Sequence, residues 1–341
     1  MKIAFTGDLV FQDIDAYTKS PFKYVADELS KLNLVINLES VFLPEDHNCN
    51  AIKEKVCLSQ KEHTITHLES LDPFLINLSN NHINDYGNYG IENTHRILNN
   101  SSLDYLGAGY EDQLHNRFVH EAEKIVFLAY TLGTDKKSKK LYNESDLIGP
   151  RKYSIEQYQS DVVGFEDYTV IVLFHWGAQP SRYPFPYQRE VARELIDNGV
   201  DIIIGNHAHI FQGYEKYKDK YVFYSLGNFL LPNFSVEVHG KGYTGFATAE
   251  KKHTILPVFD ISKSGIELTD VVSLKANKNF ELEFKPGFVG LYNYFLLRNV
   301  QLYRMFHWCY LKYRRFKVQY DKLAIFFIKK IDKKARASIS S

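Results

Sequence analysis

Residues 202–212 read IIIGNHAHIFQ: three isoleucines, a glycine, and then two histidines one residue apart. The apolar run has the length of a buried strand, and the glycine marks the turn that ends it. His207 and His209 therefore leave a strand end at a spacing that lets both imidazoles meet at one locus. Standing alone, the pair reads either as a polar loop or as part of a metal site. The rest of the chain decides between the two.

Apolar runs of the same kind recur at Lys2–Phe5, Leu34–Ile36, Phe74–Leu78, Lys124–Tyr130, Thr169–Phe174, Asp201–Ile204 and Tyr221–Tyr224. Helical patterns over Pro21–Lys31, Tyr89–Asn99 and Pro186–Asn198 fall between them. The last carries Val191, Leu195 and Ile196 at helical spacing and stops at Asn198-Gly199. Alternation of this kind predicts a layered α/β domain. Beyond Phe234 the pattern turns to β, with His253–Ser262 and Gly265–Leu274 forming a hairpin around Lys263-Ser264.

The polar residues fall where the strands end. Asp8 follows the first, Asn37 and Glu39 the second, and Asn81, His82 and Asp85 the third. His175 follows TVIVLF, His207 and His209 follow DIIIG, and Asn228 follows YVFYS. Each fragment alone has an ordinary reading: Gly-Asp as a turn, Asn-Asn-His-x-x-Asp as helix capping. Six strand ends that each release such a group point to a site, because loops at the carboxyl edge of an α/β sheet converge on one crevice. Three His, two acids and an Asn offer nitrogen and oxygen ligands without thiolate, which suits Zn²⁺, Mn²⁺ or Fe²⁺. One or two such ions are expected. Two would share a carboxylate and leave a neighbouring histidine as general acid.

The bulk figures agree with a folded domain and exclude several classes. Of 341 residues, 45% are hydrophobic and 24% charged, with an aromatic share of 15%. Formal net charge is zero, and nucleic acid is not expected as a partner. Three cysteines, Cys49, Cys57 and Cys309, are too few and too scattered for a disulfide framework or a cysteine-rich zinc site. MKIAFTGD opens directly on a strand, without a signal-peptide pattern, and no run approaches membrane-span length. The expected location is cytoplasmic, with peripheral attachment at the inner face of the membrane as an extension of that expectation.

The motifs TGD (6–8), NLES (37–40), NNHINDYG (80–87), GAG (107–109), HWG (175–177), GVDIIIGNHAHIFQ (199–212) and YSLGNFL (224–230) together resemble the bacterial capsule synthesis CapA family. That family is associated with poly-γ-glutamate capsule formation, and its domain is similar to calcineurin-like metallophosphoesterases. The resemblance covers roughly residues 1–235. It implies a metallophosphoesterase-like layered sandwich, with helices flanking mixed β-sheets.

It also implies roles. Asp8 is similar to the first-strand metal ligand, and Glu39 or Asn37 sits where a bridging acid belongs. Asn81 resembles the amide ligand of the second metal, and His82, with Asp85 beside it, the histidine that protonates the leaving group. His175 looks like a second-metal ligand, and His207 and His209 like a terminal pair, one for each metal. The chain departs from the phosphoesterase pattern at Val10, which stands where a first-strand histidine is usual, and at Ile36-Asn37 in place of Gly-Asp. It departs from the capsule family at Gln179, where an acid is frequent.

The implied function is a metal-dependent hydrolase of capsule or surface-polymer biosynthesis, acting on a phosphoester or on an amide or ester of the polymer. The alternative is a weakly catalytic or non-catalytic assembly factor that binds an anionic polymer or its synthase. An anionic polymer or a phosphorylated precursor is the expected partner. Arg182 and Arg189, soon after His-Trp-Gly, either meet that anion or form salt bridges on a helix face; Arg182 and Asn228 are the substrate-binding candidates.

The expected domain spans residues 1–285. From Pro286 the texture changes: twelve Lys/Arg stand against two Asp/Glu, a net of about +10, interleaved with aromatic residues. A basic, aromatic helical appendage over 286–341 is expected, with a second basic helix at Asp321–Ala337. A membrane surface, a polymer synthase, or packing on the domain itself would each suit its composition.

Overall fold

Apolar runs that continue without alternation belong to strands covered on both faces. In a computed structural model of the chain, each of the seven runs named above forms a strand, the third shortened to Leu75–Asn77 and the fourth and sixth beginning one residue later, and their odd and even residues divide between different cores. The structure describes residues 1–45, 56–110, 117–133, 148–238, 241–263 and 265–285, together with Trp308, Tyr310 and Lys312.

Two sheets carry the fold. The first is eight-stranded and runs Leu282–Phe284, Gly265–Ala276, His253–Ser262, Lys2–Leu9, Asn33–Leu38, Leu75–Asn77 and Tyr105–Leu106, with Asn228–Leu230 also beside Lys2–Leu9. The strands from Lys2–Leu9 to Tyr105–Leu106 are mutually parallel, and the hairpin strands join them antiparallel. The second is six-stranded: Phe211–Tyr217, Lys220–Leu226, Ile202–Asn206, Thr169–Trp176, Ile125–Leu132 and Arg117–His120. Its four inner strands are parallel and both edges antiparallel.

The sheets pack face to face. Ile3, Phe5, Val35 and Leu75 of the first meet Phe127, Ile171, Leu173, Ile202 and Ile204 of the second in one core. Their alternate neighbours face outward. Leu34, Ile36, Leu38 and Ile76 meet Ile91, Ile97 and Leu98 of the helix Gly87–Asn100. Val170, Val172 and Phe174 meet Tyr158 of the helix Ile155–Asp161 and Ala192, Leu195 and Ile196 of the helix Pro186–Asp197. The result is an α/β sandwich with mixed sheets flanked by helices.

This parity decides where the polar residues point. Val35 faces the inner core, so Asn37 and Glu39, two and four residues on, continue on the inner face. Ile171 and Leu173 face the same core, so His175 enters it from the opposite sheet. Two close approaches bring the strands to the required distance. A Cβ on Gly7 would stand 2.0 Å from Gly227 O, and one on Gly205 would stand 2.2 Å from Tyr224 O. Both positions need glycine. The first lets Asn228 pair directly alongside Asp8.

One helix differs from expectation. Over Pro21–Lys31 only Ala26–Leu29 is α-helical, preceded by turns. Val25 bonds back to Phe22 O in the tighter three-residue pattern and has φ −130°. Phe22, Val25 and Leu29 are all buried, so core anchoring overrides a regular helix here. The hairpin lies as expected, with Gly265–Ala276 two residues longer than the pattern gave. Its Ser264 lies outside the described residues, as does the expected helix at Asp321–Ala337 and nearly all of 286–341. Trp308, Tyr310 and Lys312 are helical, and Tyr183 and Tyr310 pack edge to face with centroids 4.9 Å apart. Among the described residues, no helix is long and apolar enough to cross a membrane.

Candidate metal centre

Asp8, at the end of the first strand, is fully buried. Asn37 Nδ2 donates to its Oδ1 at 2.8 Å, and Asn77 Nδ2 donates to Asn37 Oδ1 at 3.0 Å. The three residues stand side by side in register across neighbouring strands. Asn37 is therefore brought to the centre with both ends of its amide engaged, which orients Asp8. From the other sheet, the His207 N–H lies 3.3 Å from each oxygen of Asp8.

Glu39 lies between the sheets, fully buried, and among the described residues neither carboxyl oxygen has a hydrogen-bond partner. Its Oε1 is 3.2 Å from His175 Nε2 and its Oε2 is 3.6 Å from His209 Nδ1. Burial, reinforced by the nearby charge of Asp8, pushes the Glu39 carboxyl up to about 8. Burial acts on Asp8 in the same sense, but the hydrogen bond and charge of His209, with His175 and His207 nearby, hold it below the usual carboxylate range.

The histidines crowd the same space. Around His175 Nε2 stand Asn81 Oδ1 at 2.6 Å, His207 Nδ1 at 3.0 Å and Glu39 Oε1 at 3.2 Å. Around His209 Nδ1 stand Asn228 Oδ1 at 2.8 Å, Asp8 Oδ2 at 3.1 Å and Glu39 Oε2 at 3.6 Å. One imidazole nitrogen carries at most one proton, yet His209 Nδ1 faces three oxygens, and His175 Nε2 faces two oxygens and a second ring nitrogen. Such convergence of acceptors fits a cation better than a hydrogen-bond network. Burial drives the protonated form of His175 down to about 3 and that of His207 well below its usual value. Both are thus neutral imidazoles, the form that binds metal. At His209 burial is overcome by Glu39 and Asp8, which raise it.

Among the described residues, two groups of side chains could hold a metal: Glu39, His175 and His207, and Asp8, Glu39 and His209, each with its ligand atoms within 4.8 Å of one another. Glu39 belongs to both, the position of a bridging acid. The backbone at the histidine pair is strained, with φ 92° at His207 and 57° at His209 on either side of buried Ala208. Non-glycine residues held there cluster at functional sites.

His82 stands at the edge of the cluster, with Nδ1 2.6 Å from Asp85 Oδ2 and Nε2 3.9 Å from Glu39 Oε1. Asp85 also accepts from Leu58 N at 2.6 Å, and Asn80 Oδ1 accepts from His82 N at 2.9 Å. With Asp85 as acceptor the imidazole proton sits on Nδ1, and Nε2 faces the cluster. Val10, where the resemblance leads one to expect a histidine, is buried with Leu58 and Leu231 in apolar packing.

Of the substrate-binding candidates, Asn228 is inside: its Oδ1 meets His209 and its Nδ2 donates to Lys251 O at 2.9 Å. Arg182 is outside the cluster and ion-paired with Glu250, and its N–H donates to Tyr310 OH at 3.2 Å. Arg189 is fully buried on its helix, with Nη2 2.8 Å from Glu215 Oε2, the salt-bridge reading of that residue. Sequence reasoning missed Asn77 and Asn80, although their positions at the third strand end carried the signal. It also missed Glu250 and Lys251, for which the local pattern carried none.

Residues 2–233 match the family described as Bacterial capsule synthesis protein PGA_cap. The chain is similar to the capsule biosynthesis protein CapA of Bacillus anthracis, 28% identical over 277 residues, which is 78% of this chain and 61% of that protein. It is also similar to the PGA biosynthesis protein CapA of Bacillus subtilis strain 168, 28% identical over 242 residues, 68% of this chain and 63% of that protein. The chain thus spans somewhat over three fifths of the length of these curated relatives. In three dimensions it resembles a hypothetical protein from Thermus thermophilus, at TM-score 0.50 and 10% identity, over 84% of this chain and 100% of that one. That likeness concerns the fold alone.

Proposed function

The chain belongs to the bacterial capsule synthesis family PGA_cap, and from that premise we propose that it is a metal-dependent hydrolase of capsule or surface-polymer biosynthesis. Its substrate would be a phosphoester, or an amide or ester bond of the polymer. The observation that carries this reading is Glu39, buried without hydrogen-bond partners and common to two groups of ligands. A buried acid left without hydrogen bonds costs stability, and a bound cation would offset that cost.

Asp8, Glu39, His175, His207 and His209 would hold the ion or ions, with Asn81 at the second position. Mn²⁺, Zn²⁺ and Fe²⁺ fit this donor set. A divalent ion, when bound, supplies a Lewis acid that polarises a phosphoryl or acyl oxygen. To act as general acid His82 would carry a second proton on Nε2, the nitrogen that faces the cluster, and would return to the neutral Nδ1–H ring on passing that proton to the leaving group, while Asp85 accepts from Nδ1–H and keeps the ring in that orientation. Asn37 and Asn77 fix the carboxylate plane of Asp8. The partner in this reading is an anionic polymer or its phosphorylated precursor. Residues 286–341 would contact a membrane surface or the polymer synthase; loss of vesicle flotation on truncation after Lys285 would support the membrane contact, and retained flotation would remove it.

The test is elemental analysis of the purified protein with His209→Ala as control, followed by turnover of an aryl phosphate and a γ-glutamyl amide. Bound transition metal and turnover lost in His82→Ala support the proposal. A metal-loaded protein that hydrolyses neither overturns it. The second reading, a non-catalytic assembly factor, is favoured by Val10, whose apolar packing removes one usual ligand. A chain that stays metal-free in supplemented medium would establish that reading instead.

A further inference from the structure

The turn Glu250–Lys252 lies beyond residues 2–233 that match the family. Its neighbouring anchors fix it on several sides. Glu250 pairs with Arg182, in the loop that follows Trp176. Lys252 Nζ lies 4.2 Å from the Phe280 ring centroid and 3.3 Å from Asn277 O. Between them, the Lys251 carbonyl accepts from Asn228 Nδ2 at 2.9 Å, and the other end of that amide lies 2.8 Å from His209 Nδ1. One amide therefore joins the Lys251 backbone to a residue of the metal cluster.

The Lys251 side chain is half-buried, and among the described residues no ion pair engages its ammonium. Arg182, by contrast, already has Glu250. Burial pulls the Lys251 ammonium down, and Glu39 and Asp8 oppose that shift. A lysine is a compact charge on a long stem, suited to meeting an anion from a fixed backbone position.

We infer that Lys251 is the anion-binding residue of this site, held at the cluster by Asn228 and receiving the negatively charged group of the substrate. The inference rests on the reading of the cluster as a metal site that processes an anionic substrate. The anion is a phosphoryl group or a carboxylate, and the two are separable by experiment. The competing role for Lys251 is simple neutralisation of Asp8 and Glu39, which would act on metal binding and not on anions.

The test uses the full chain loaded with Mn²⁺, as wild type, Lys251→Met and Lys251→Arg, titrated calorimetrically with inorganic phosphate and separately with glutarate. Metal content is measured in each sample. Lys251→Met should weaken the preferred anion on the order of tenfold at unchanged metal content, and Lys251→Arg should recover most of that loss. Preference for phosphate or for glutarate identifies the source of the charge. Unchanged anion affinity in Lys251→Met, a loss that merely follows lost metal, or a wild type that binds neither anion overturns the inference. Anion binding through Lys251 without turnover of any ester or amide would leave it standing and remove the hydrolase reading. A chain that retains no metal would remove the metal reading and this inference with it, an outcome that the metal content reads directly.

Discussion

His82 Nδ1 lies 2.6 Å from Asp85 Oδ2, and both side chains are buried beside the cluster of acids and histidines. The carboxylate sets which ring nitrogen carries the proton, and therefore which one is presented to a leaving group. Asp85→Asn keeps the shape and removes that control. Under the hydrolase reading, kcat on an aryl phosphate should fall about 10- to 100-fold with metal content unchanged. Equal kcat in the variant would remove the pairing from the mechanism.

Glu39→Gln should separate stability from function. The wild-type carboxyl is buried with both oxygens lacking hydrogen-bond partners, a destabilising arrangement in the metal-free protein. Burial holds the folded carboxyl at about 8, so at pH 7 it must take up a proton on folding, a cost the amide does not carry, and the chelator-treated variant should be more stable at pH 7 than chelator-treated wild type by about 1–3 kcal/mol. Metal retention should drop in the same variant. Urea midpoints with and without Mn²⁺ read both effects, and a variant less stable than wild type when metal-free would contradict the assignment.

Gly205→Ala should damage the second sheet. The added Cβ would stand 2.2 Å from Tyr224 O and 2.4 Å from Trp176 Nε1, and the indole donates to that same carbonyl at 3.0 Å. Overpacking of this kind costs about 1–3 kcal/mol, and the backbone contact places this site at the upper end. Thermal melts of wild type and variant measure it; a change below about 0.5 kcal/mol would show that the strands move apart freely.

His63 bridges two acids far from the cluster, with Nδ1 2.5 Å from Glu45 Oε1 and Nε2 2.8 Å from Asp15 Oδ2. The Glu45 hydrogen bond, with that of Asp15, raises His63 against the effect of burial. His63 in turn lowers Glu45, and Lys19 and His63 lower Asp15 against its burial. The raised histidine stabilises below its ordinary value and loses this as pH rises through its folded value. The lowered acids stabilise above their ordinary values and lose this as pH falls through their folded values. The three act together between about pH 4.5 and 6.5. The groups are substantially exposed and solvent-screened, so His63→Ala should cost only a few tenths of a kcal/mol near pH 5.5, and less at pH 8.5. A larger loss at pH 8.5 than at pH 5.5 would reverse the sign of this argument.

Much of the site is legible in the order of residues alone. Asp8, Glu39, His175, His207 and His209 each follow an apolar run, and in parallel strands such runs end at one edge. Odd-even parity along Val35, Asn37 and Glu39, and along Ile171, Leu173 and His175, even contains the direction in which each side chain points. The same local pattern overstated the helix at Pro21–Lys31, because three buried anchors, Phe22, Val25 and Leu29, set the backbone more strongly than helical propensity did.

The sequence by itself determined the strands, their two buried faces and the ligand types at their ends, since these depend on periodicity within a few residues. Only the tertiary structure decided which atoms meet. Register between strands turned Asn37 into the support of Asp8, and the packing of one sheet on the other placed Glu39 between His175 and His209. It paired Arg182 with Glu250 and brought Lys251 to the rim through Asn228. Those contacts join residues tens to hundreds of positions apart, and no local pattern encodes a distance between them.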